Sequence, residues 1–321
     1  MRRFLIFAAF PLLATFAPPS LFTEPALPPL ASLSFETLPL DKDDPTKRTI
    51  GALDYLGGWS IRSNDPRFGG ISAMHVENDE IVALSDAGSV IRFAVPGRGA
   101  PTADIFPLPA GPGSSSNKGD RDVEAMTAHK GEYWLAFEGA NEVWRYSGTG
   151  WKSKASSAPR AMKHWPMNAG SEAMLRLKDG RFVLFREEKA RPDGTIKALL
   201  FEGDPAIAGT NVKPIRYRPP DGYRITDAAT LPDGRLLFLN RRFGLPNFFT
   251  AKLTLAPKPA TGAIKLLSGE EIAHFELPLP VDNMEALSLA RENGRTILWL
   301  ASDDNLNPIQ RTILLKLALR E

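Results

Sequence analysis

The sequence contains no cysteine. That excludes a disulfide framework, a Cys-ligated zinc, an iron–sulfur centre and a thiol nucleophile. A surplus of one charge is also missing: 39 Lys+Arg stand against 37 Asp+Glu, a formal net charge of +2. Electrostatic binding of nucleic acid needs a dominant basic face, so the balance speaks against that partner. After the first seventeen residues no apolar run is long enough to cross a bilayer. Nor does any amphipathic helical pattern of ten or more residues stand out. The abundant residues are those of punctuation, 26 Gly and 28 Pro in 321 residues. With 43% hydrophobic and 24% charged residues, the chain reads as a packed globular protein cut into many short elements.

Residues 1–17, MRRFLIFAAFPLLATFA, place Arg2 and Arg3 before an apolar run broken by Pro11. This is the layout of a secretory signal peptide, with an uncleaved anchor as the alternative. Residues 18–46 form a Pro-rich linker and lead-in, and residues 47–321 the folded domain. The expected location is the bacterial periplasm or outside the cell, with no membrane contact apart from the N-terminal segment.

One short pattern recurs through the domain: Ile71-Ser72-Ala73-Met74, Val123-Glu124-Ala125-Met126, Ser171-Glu172-Ala173-Met174, Thr226-Asp227-Ala228-Ala229 and Met284-Glu285-Ala286-Leu287. Its second positions are 52, 48, 55 and 58 residues apart. Each copy is followed by a turn pair (Asn78-Asp79, Lys130-Gly131, Asp179-Gly180, Asp233-Gly234, Asn293-Gly294) and then by a β-branched or aromatic run such as Tyr133–Phe137 or Arg235–Leu239. Such pairs suit two-residue hairpins. Repeats of about fifty residues with three or four short strands predict an all-β protein, a β-propeller of five four-stranded blades. From Glu285 onward only three strands can be formed, so the segment Ala52–Ile61 is expected to supply the fourth and close the ring. A sixth blade built from Ser32–Ile61 is the alternative count, and a β-sandwich the rival fold.

In a propeller the inner strand begins on the face where the second strand ends. Ser72, Glu124, Glu172, Asp227 and Glu285 should therefore meet around the channel, joined by the second-strand ends Asp86, Glu138, Glu187, Arg241 and Asp303. Crowded carboxylates repel and call for a cation, and Ca²⁺ accepts about 6–8 oxygen ligands. Each acid has a plainer possible role as a cap on backbone N–H groups between blades. Basic groups lie on the same face: Arg241 and Arg242 after Asn240, and Arg311 after Asp303, Asn305 and Pro308. Arginine forks suit phosphate or carboxylate.

Other signals fail. There is no Gly-x-Ser-x-Gly elbow, and the four histidines show no close metal-ligand spacing. Gly113–Gly119 lacks the order of a phosphate loop and reads as an inter-blade loop. Trp134, Trp144 and Trp299 read as inter-blade core.

The strings Phe68-Gly-Gly-Ile-Ser-Ala73, Ala83-Leu-Ser-Asp86, Tyr223-Arg-Ile-Thr-Asp-Ala-Ala229, Leu231-Pro-Asp-Gly-Arg235, Leu239-Asn-Arg-Arg-Phe243, Ser302-Asp-Asp-Asn305 and Pro308-Ile-Gln-Arg311 resemble the bacterial phytase-like family, described as having esterase-like activity of phytase. The resemblance runs from about Ile50 to Leu319. It implies a propeller, an exported protein and hydrolysis of phosphate or carboxylic esters, without a residue-level scheme. It marks Glu124, Glu172, Asp227, Asn240, Arg241, Asp303 and Asn305 as motif positions.

Two functions fit these features. In the first, a monomeric ester or phosphoester hydrolase holds Ca²⁺ on Glu124, Glu172, Asp227 and Glu285. Asp303 or Glu138 is its general base, Arg241 or Arg242 stabilises negative charge, and Asn240, Asn305 and Arg311 contact the small-molecule substrate. In the second, a non-catalytic periplasmic propeller binds a ligand at the same mouth or a protein on an outer face. A glycosidase with paired carboxylates also fits the acids.

Overall fold

The computed structural model describes residues 30–320 apart from 116, 261 and 263. The signal segment, and the linker as far as residue 29, lie outside the described residues. The described chain folds as a five-bladed β-propeller. Blade one is built from Ile71–Glu77, Glu80–Ser85, Ser89–Ala94 and Thr102–Pro107, and blade two from Val123–His129, Glu132–Phe137, Glu142–Ser147 and Ser153–Ser157. Blade three comprises Ser171–Arg176, Phe182–Arg186, Ile196–Phe201 and Val212–Arg218, with Leu266–Ser268 added in parallel at its edge. Blade four comprises Arg224–Thr230, Leu236–Gly244, Phe248–Ala256 and Glu270–Phe275.

Blade five takes three strands from the C-terminal end, Met284–Glu292, Arg295–Ser302 and Thr312–Leu319. Its fourth is the N-terminal strand Leu53–Ser63, antiparallel to Thr312–Leu319. The ring is thus closed by the segment expected to close it, and Ser32–Ile61 does not build a sixth blade. Ala31–Thr37 pairs with Leu53–Ser63 on one side and with Thr102–Pro107 on the other, joining the outer edges of blades five and one. Gly51 fixes the approach of the closing hairpin to blade four. The Ala52 N–H donates to the Ile272 carbonyl at 2.7 Å. A Cβ on Gly51 would stand 1.9 Å from that same oxygen, at a φ of +53° that L side chains rarely adopt.

The second strands read as unbroken apolar runs because each is covered on both faces by neighbouring blades. Phe182–Phe185 and Leu236–Leu239 are buried throughout. Five apolar clusters fill the five junctions. Trp299, 1% exposed, stacks with Trp59 between blades five and one, and Trp134 donates its indole N–H to Asp204 at 2.7 Å. Three of the five first hairpins turn with both central residues at positive φ (Asn78 and Asp79, Lys130 and Gly131, Asn293 and Gly294). At Asp179-Gly180 and Asp233-Gly234 only the glycine has positive φ. There the connection is longer than the expected two residues, closed by Leu177 N to Arg181 O at 2.7 Å and Leu231 N to Arg235 O at 2.8 Å.

Candidate functional site at the propeller mouth

Each inner strand slips register once, near its start. One residue bulges out of the ladder, and a bulge re-aims its side chain. The bulged residues are Ser72, Glu124, Glu172, Thr226 and Glu285. In four blades this is the position expected from the repeat. In blade four it is Thr226, one residue earlier than Asp227. The two hydroxyl positions act alike: Ser72 donates to the Val123 carbonyl, and Thr226 to the Met284 carbonyl at 3.0 Å. Each thereby ties its blade to the residue preceding the next blade's glutamate. The carboxylates of the inner ring are therefore three, Glu124, Glu172 and Glu285.

Asp227 is directed into the junction between blades four and five instead of the channel. Its two carboxylate oxygens accept from the Ala228 and Leu287 N–H groups, each at 2.7 Å, and it is 3% exposed. Burial pushes its pKa well above the usual carboxylate range, while the two amides pull it down. This is the capping role, and with both oxygens engaged Asp227 is not placed to join the ring as a cation ligand. Asp227→Ala is expected to cost about 2–4 kcal/mol in urea denaturation, because it leaves two buried amides without an acceptor. A loss below about 0.5 kcal/mol would show that the junction does not depend on it.

A second ring stands one step outward. The N–H groups of Asp86, Glu138, Glu187 and Asp303 donate to the carbonyls of Gly70, Asp122, Gly170 and Asn283, each at 2.9 Å. In blade four Arg241 holds this place, paired with Arg224. Carboxylate oxygens of Asp122, Glu124 and Glu138 lie within 4.8 Å of one another, and so do those of Glu138, Glu172 and Glu187. Glu138 is common to both groups, so five carboxylates form a crescent across blades two and three.

Cations stand around the crescent. Arg241 Nη1 lies 3.1 Å from Glu285 Oε1 and hydrogen-bonds Asn283 Oδ1, while Nη2 lies 3.9 Å from Glu172. Lys118 Nζ reaches Asp86 at 2.5 Å, and Arg224 Nη1 reaches Glu187 at 2.5 Å. Asn283 Nδ2 donates to Glu285 at 2.8 Å and to Asp303 at 3.4 Å.

The charge is undercompensated. Burial and then the neighbouring Glu172 and Glu285 raise the Glu124 pKa well above its ordinary value, and Glu172 is raised likewise by burial, Glu187 and Glu285. Burial first, then Asp122 and Glu187, push Glu138 up to about 7 against the opposing Gly170 amide. Asp303 is pushed up to about 8 by burial and then by Glu285. Asp122 and Glu285 are raised as well, mainly by burial. Asp122 Oδ1 and Asp86 Oδ1 are buried without a hydrogen-bond partner. Oxygen donors only, mutual repulsion and orphaned buried oxygens fit a hard divalent cation.

The other expected site residues separate. Strand alternation turns Arg242 away from Arg241, and its guanidinium lies 5.0 Å from the centre of the Tyr223 ring. Asn240 is fully buried, accepting from the Tyr217 hydroxyl at 2.8 Å, so no substrate reaches it. Asn305 is an exposed loop residue whose N–H donates to Asp303 at 2.6 Å. Arg311 is on the rim, its N–H bonded to Asp282 at 3.2 Å. No histidine joins the site: His75 and His129 line a pit at the opposite end of the channel, and His274 bonds the Tyr223 hydroxyl at 3.0 Å.

Four residues at the mouth carried no role in the sequence reading. Asp122, Arg224 and Asn283 all stand two places before a bulge, a position visible once the repeat is phased on the bulges. Lys118 belongs to the loop dismissed as a phosphate loop, which forms one helical turn, Lys118–Arg121, after Asn117.

A family model described as "Phytase-like: Esterase-like activity of phytase" matches residues 66–306. Among solved structures the chain is similar to the glutaminyl cyclase of Myxococcus xanthus, at 10% identity and TM-score 0.47, covering 84% of this chain and 97% of that one. It is also similar to the native arabinanase of Bacillus subtilis, at 16% identity and TM-score 0.38, covering 76% and 92%. A search of curated proteins finds no match.

Proposed function

Because the chain belongs to the phytase-like family, we propose that it is a hydrolase of an ester or phosphoester bond, working at the carboxylate-rich mouth with a bound Ca²⁺. The observation that carries this reading is Glu138, shared by two carboxylate groups whose negative charge Arg224 and Arg241 offset only in part. Glu124, Glu138 and Glu172, with Asp122 and Glu187, would hold the ion. Such an ion, when bound, polarises an ester oxygen and lowers the pKa of an attacking water. Arg241, fixed between Glu172 and Glu285, would stabilise negative charge developing beside it. Burial and then Glu285 raise the Asp303 pKa to about 8, which would suit it to protonate the leaving oxygen, a role as acid beside that of general base expected from sequence.

In the same proposal the protein is an exported monomer. The support for export is the basic and apolar pattern of residues 1–17.

The test is turnover of 4-nitrophenyl phosphate and of 4-nitrophenyl acetate and butyrate, with Ca²⁺ or with chelator. Hydrolysis of at least one class should fall at least tenfold on chelation. Turnover indifferent to chelation would remove the metal from the mechanism. A Ca²⁺-induced rise in melting temperature without any turnover would instead support a non-catalytic binding propeller.

A further inference from the structure

Blade four breaks the fivefold pattern on the mouth side. In the other blades the second strand ends at Ser85, Phe137, Arg186 or Ser302, before or at the second ring. In blade four it runs on to Gly244, three residues past Arg241, and stays paired with the third strand throughout: Arg242 with Thr250, Phe243 with Phe249, Gly244 with Phe248. A two-stranded ribbon therefore rises beside the mouth. Phe243 is 67% exposed and Phe248 56%, and the Phe243 ring leans on that of Phe249 at 4.9 Å between centroids. Large aromatic side chains held in the open on a paired ribbon mark a contact surface.

At the foot of the ribbon is a cleft of about 620 Å³, lined among others by Lys189, Tyr223, Arg224, Arg241, Arg242 and Phe243. Arg241 belongs to both cleft and ring, so the cleft opens onto the site already described. Of its four cations, Arg224 faces Glu187 and Arg241 faces Glu285. Among the described residues Arg242 and Lys189 face no carboxylate within ion-pair distance. Arg242 is nevertheless held in place. It lies over Tyr223, whose hydroxyl is fixed at 3.0 Å from both Thr250 and His274. A positioned, unneutralised guanidinium next to an exposed aromatic ring matches an anion carried on an aromatic body.

We propose that this cleft is the specificity subsite of the mouth and selects aromatic esters bearing an anionic substituent, with the anion on Arg242 and Lys189 and the ring against Phe243. This rests on the hydrolase reading above. The anion could be a carboxylate or a phosphate, which share the charge and forked geometry that Arg242 recognises.

Two measurements test it on the full protein with Ca²⁺. The first compares kcat/KM for 4-acetoxybenzoate with that for its neutral methyl ester. Wild type should prefer the anion at least tenfold, Arg242→Gln should bring the ratio close to one, and Phe243→Ser should lower kcat/KM for both esters. The second is calorimetric binding of benzoate and of the non-hydrolysable phenylphosphonate, whose relative affinities separate the two anions. Arg242→Gln should weaken the preferred one at least tenfold, with an unchanged melting temperature showing that the variant is folded. Turnover of both esters at equal kcat/KM would overturn the subsite and leave the hydrolase reading standing. Binding that needs Arg242, with no ester turned over, would retain the cleft as an anion site and overturn the hydrolase reading. Failure of both probes to bind would overturn the subsite whatever the turnover.

Discussion

Glutamine at both Glu124 and Glu172 is expected to abolish Ca²⁺-stimulated hydrolysis while raising the melting temperature of the metal-free protein at pH 8. The two effects have one cause. Glu172 is buried and Glu124 half-buried among like charges, and removing a charge there relieves repulsion and desolvation. Glutamine keeps the shape, and its amide can donate to Glu138, which shares an oxygen cluster with each of them. The same change removes two of the anionic ligands proposed for the ion. Loss of activity should reach about 10²-fold or more. The rise in melting temperature given by Ca²⁺ to wild type should disappear in the double variant. Retained activity, or an undiminished Ca²⁺ effect on melting, would remove the crescent from the mechanism. A variant less stable than wild type without metal would contradict the charge argument itself.

In chelator, the melting temperature should fall as pH rises from about 5 to about 8. Glu138 titrates near 7 and Asp303 near 8 in the folded protein, against ordinary values of 4.5 and 3.8. The folded state therefore holds protons that the unfolded chain has already released. With more protons bound in the native state, stability declines with pH. It is fully present below the unfolded values and lost as the solution passes through the folded ones. The groups facing Glu138 are Asp122, Glu124, Glu172, Glu187 and Glu285, opposed by the Gly170 amide; those facing Asp303 are Glu285, Asp86 and Asp304, opposed by the Asn305 amide and the Asn283 side chain. A fall on the order of 5–10 °C is expected, and saturating Ca²⁺ should flatten it. On the acid side the slope reverses. Asp65, held down to about 2 chiefly by Arg67, and Asp41, lowered chiefly by Lys47, contribute stability that disappears as they protonate. A melting temperature that stayed level or rose between pH 5 and 8 in chelator would count against an uncompensated crescent.

The architecture was legible because it repeats. A period near fifty residues, a turn pair after each copy and one blade short of a strand led to a closed five-membered ring without any coordinate. The second ring was legible too, since the end of a strand is visible as the end of an apolar run. Register was not. A bulge adds one residue and leaves no compositional mark, so Asp227-Ala228 imitated the Glu-Ala of the other blades although Thr226 holds the bulge. One position of slip turns a side chain from channel to junction. Arg242 was misplaced by the same alternation, as the neighbour of Arg241 on a strand that points it the other way. Asn240 looked like a polar group before an arginine pair, but its burial depends on Tyr217, a residue of the preceding blade. Lys118 was missed because its partner, Asp86, is across a blade boundary that no local pattern encodes.

The strand that closes the ring has a kinetic consequence. Leu53–Ser63 finds its partner, Thr312–Leu319, roughly 250 residues later in the chain. Blades one to four can each form their four strands from contiguous sequence, but blade five waits for the last strand to arrive. Until then the growing chain carries two open sheet edges. Closing so long a loop makes the final step entropically slow and high in contact order. The two ends must meet before any ring exists, so Glu285 and Asp303 of blade five face Arg241 and the crescent of blades two and three only in the closed ring.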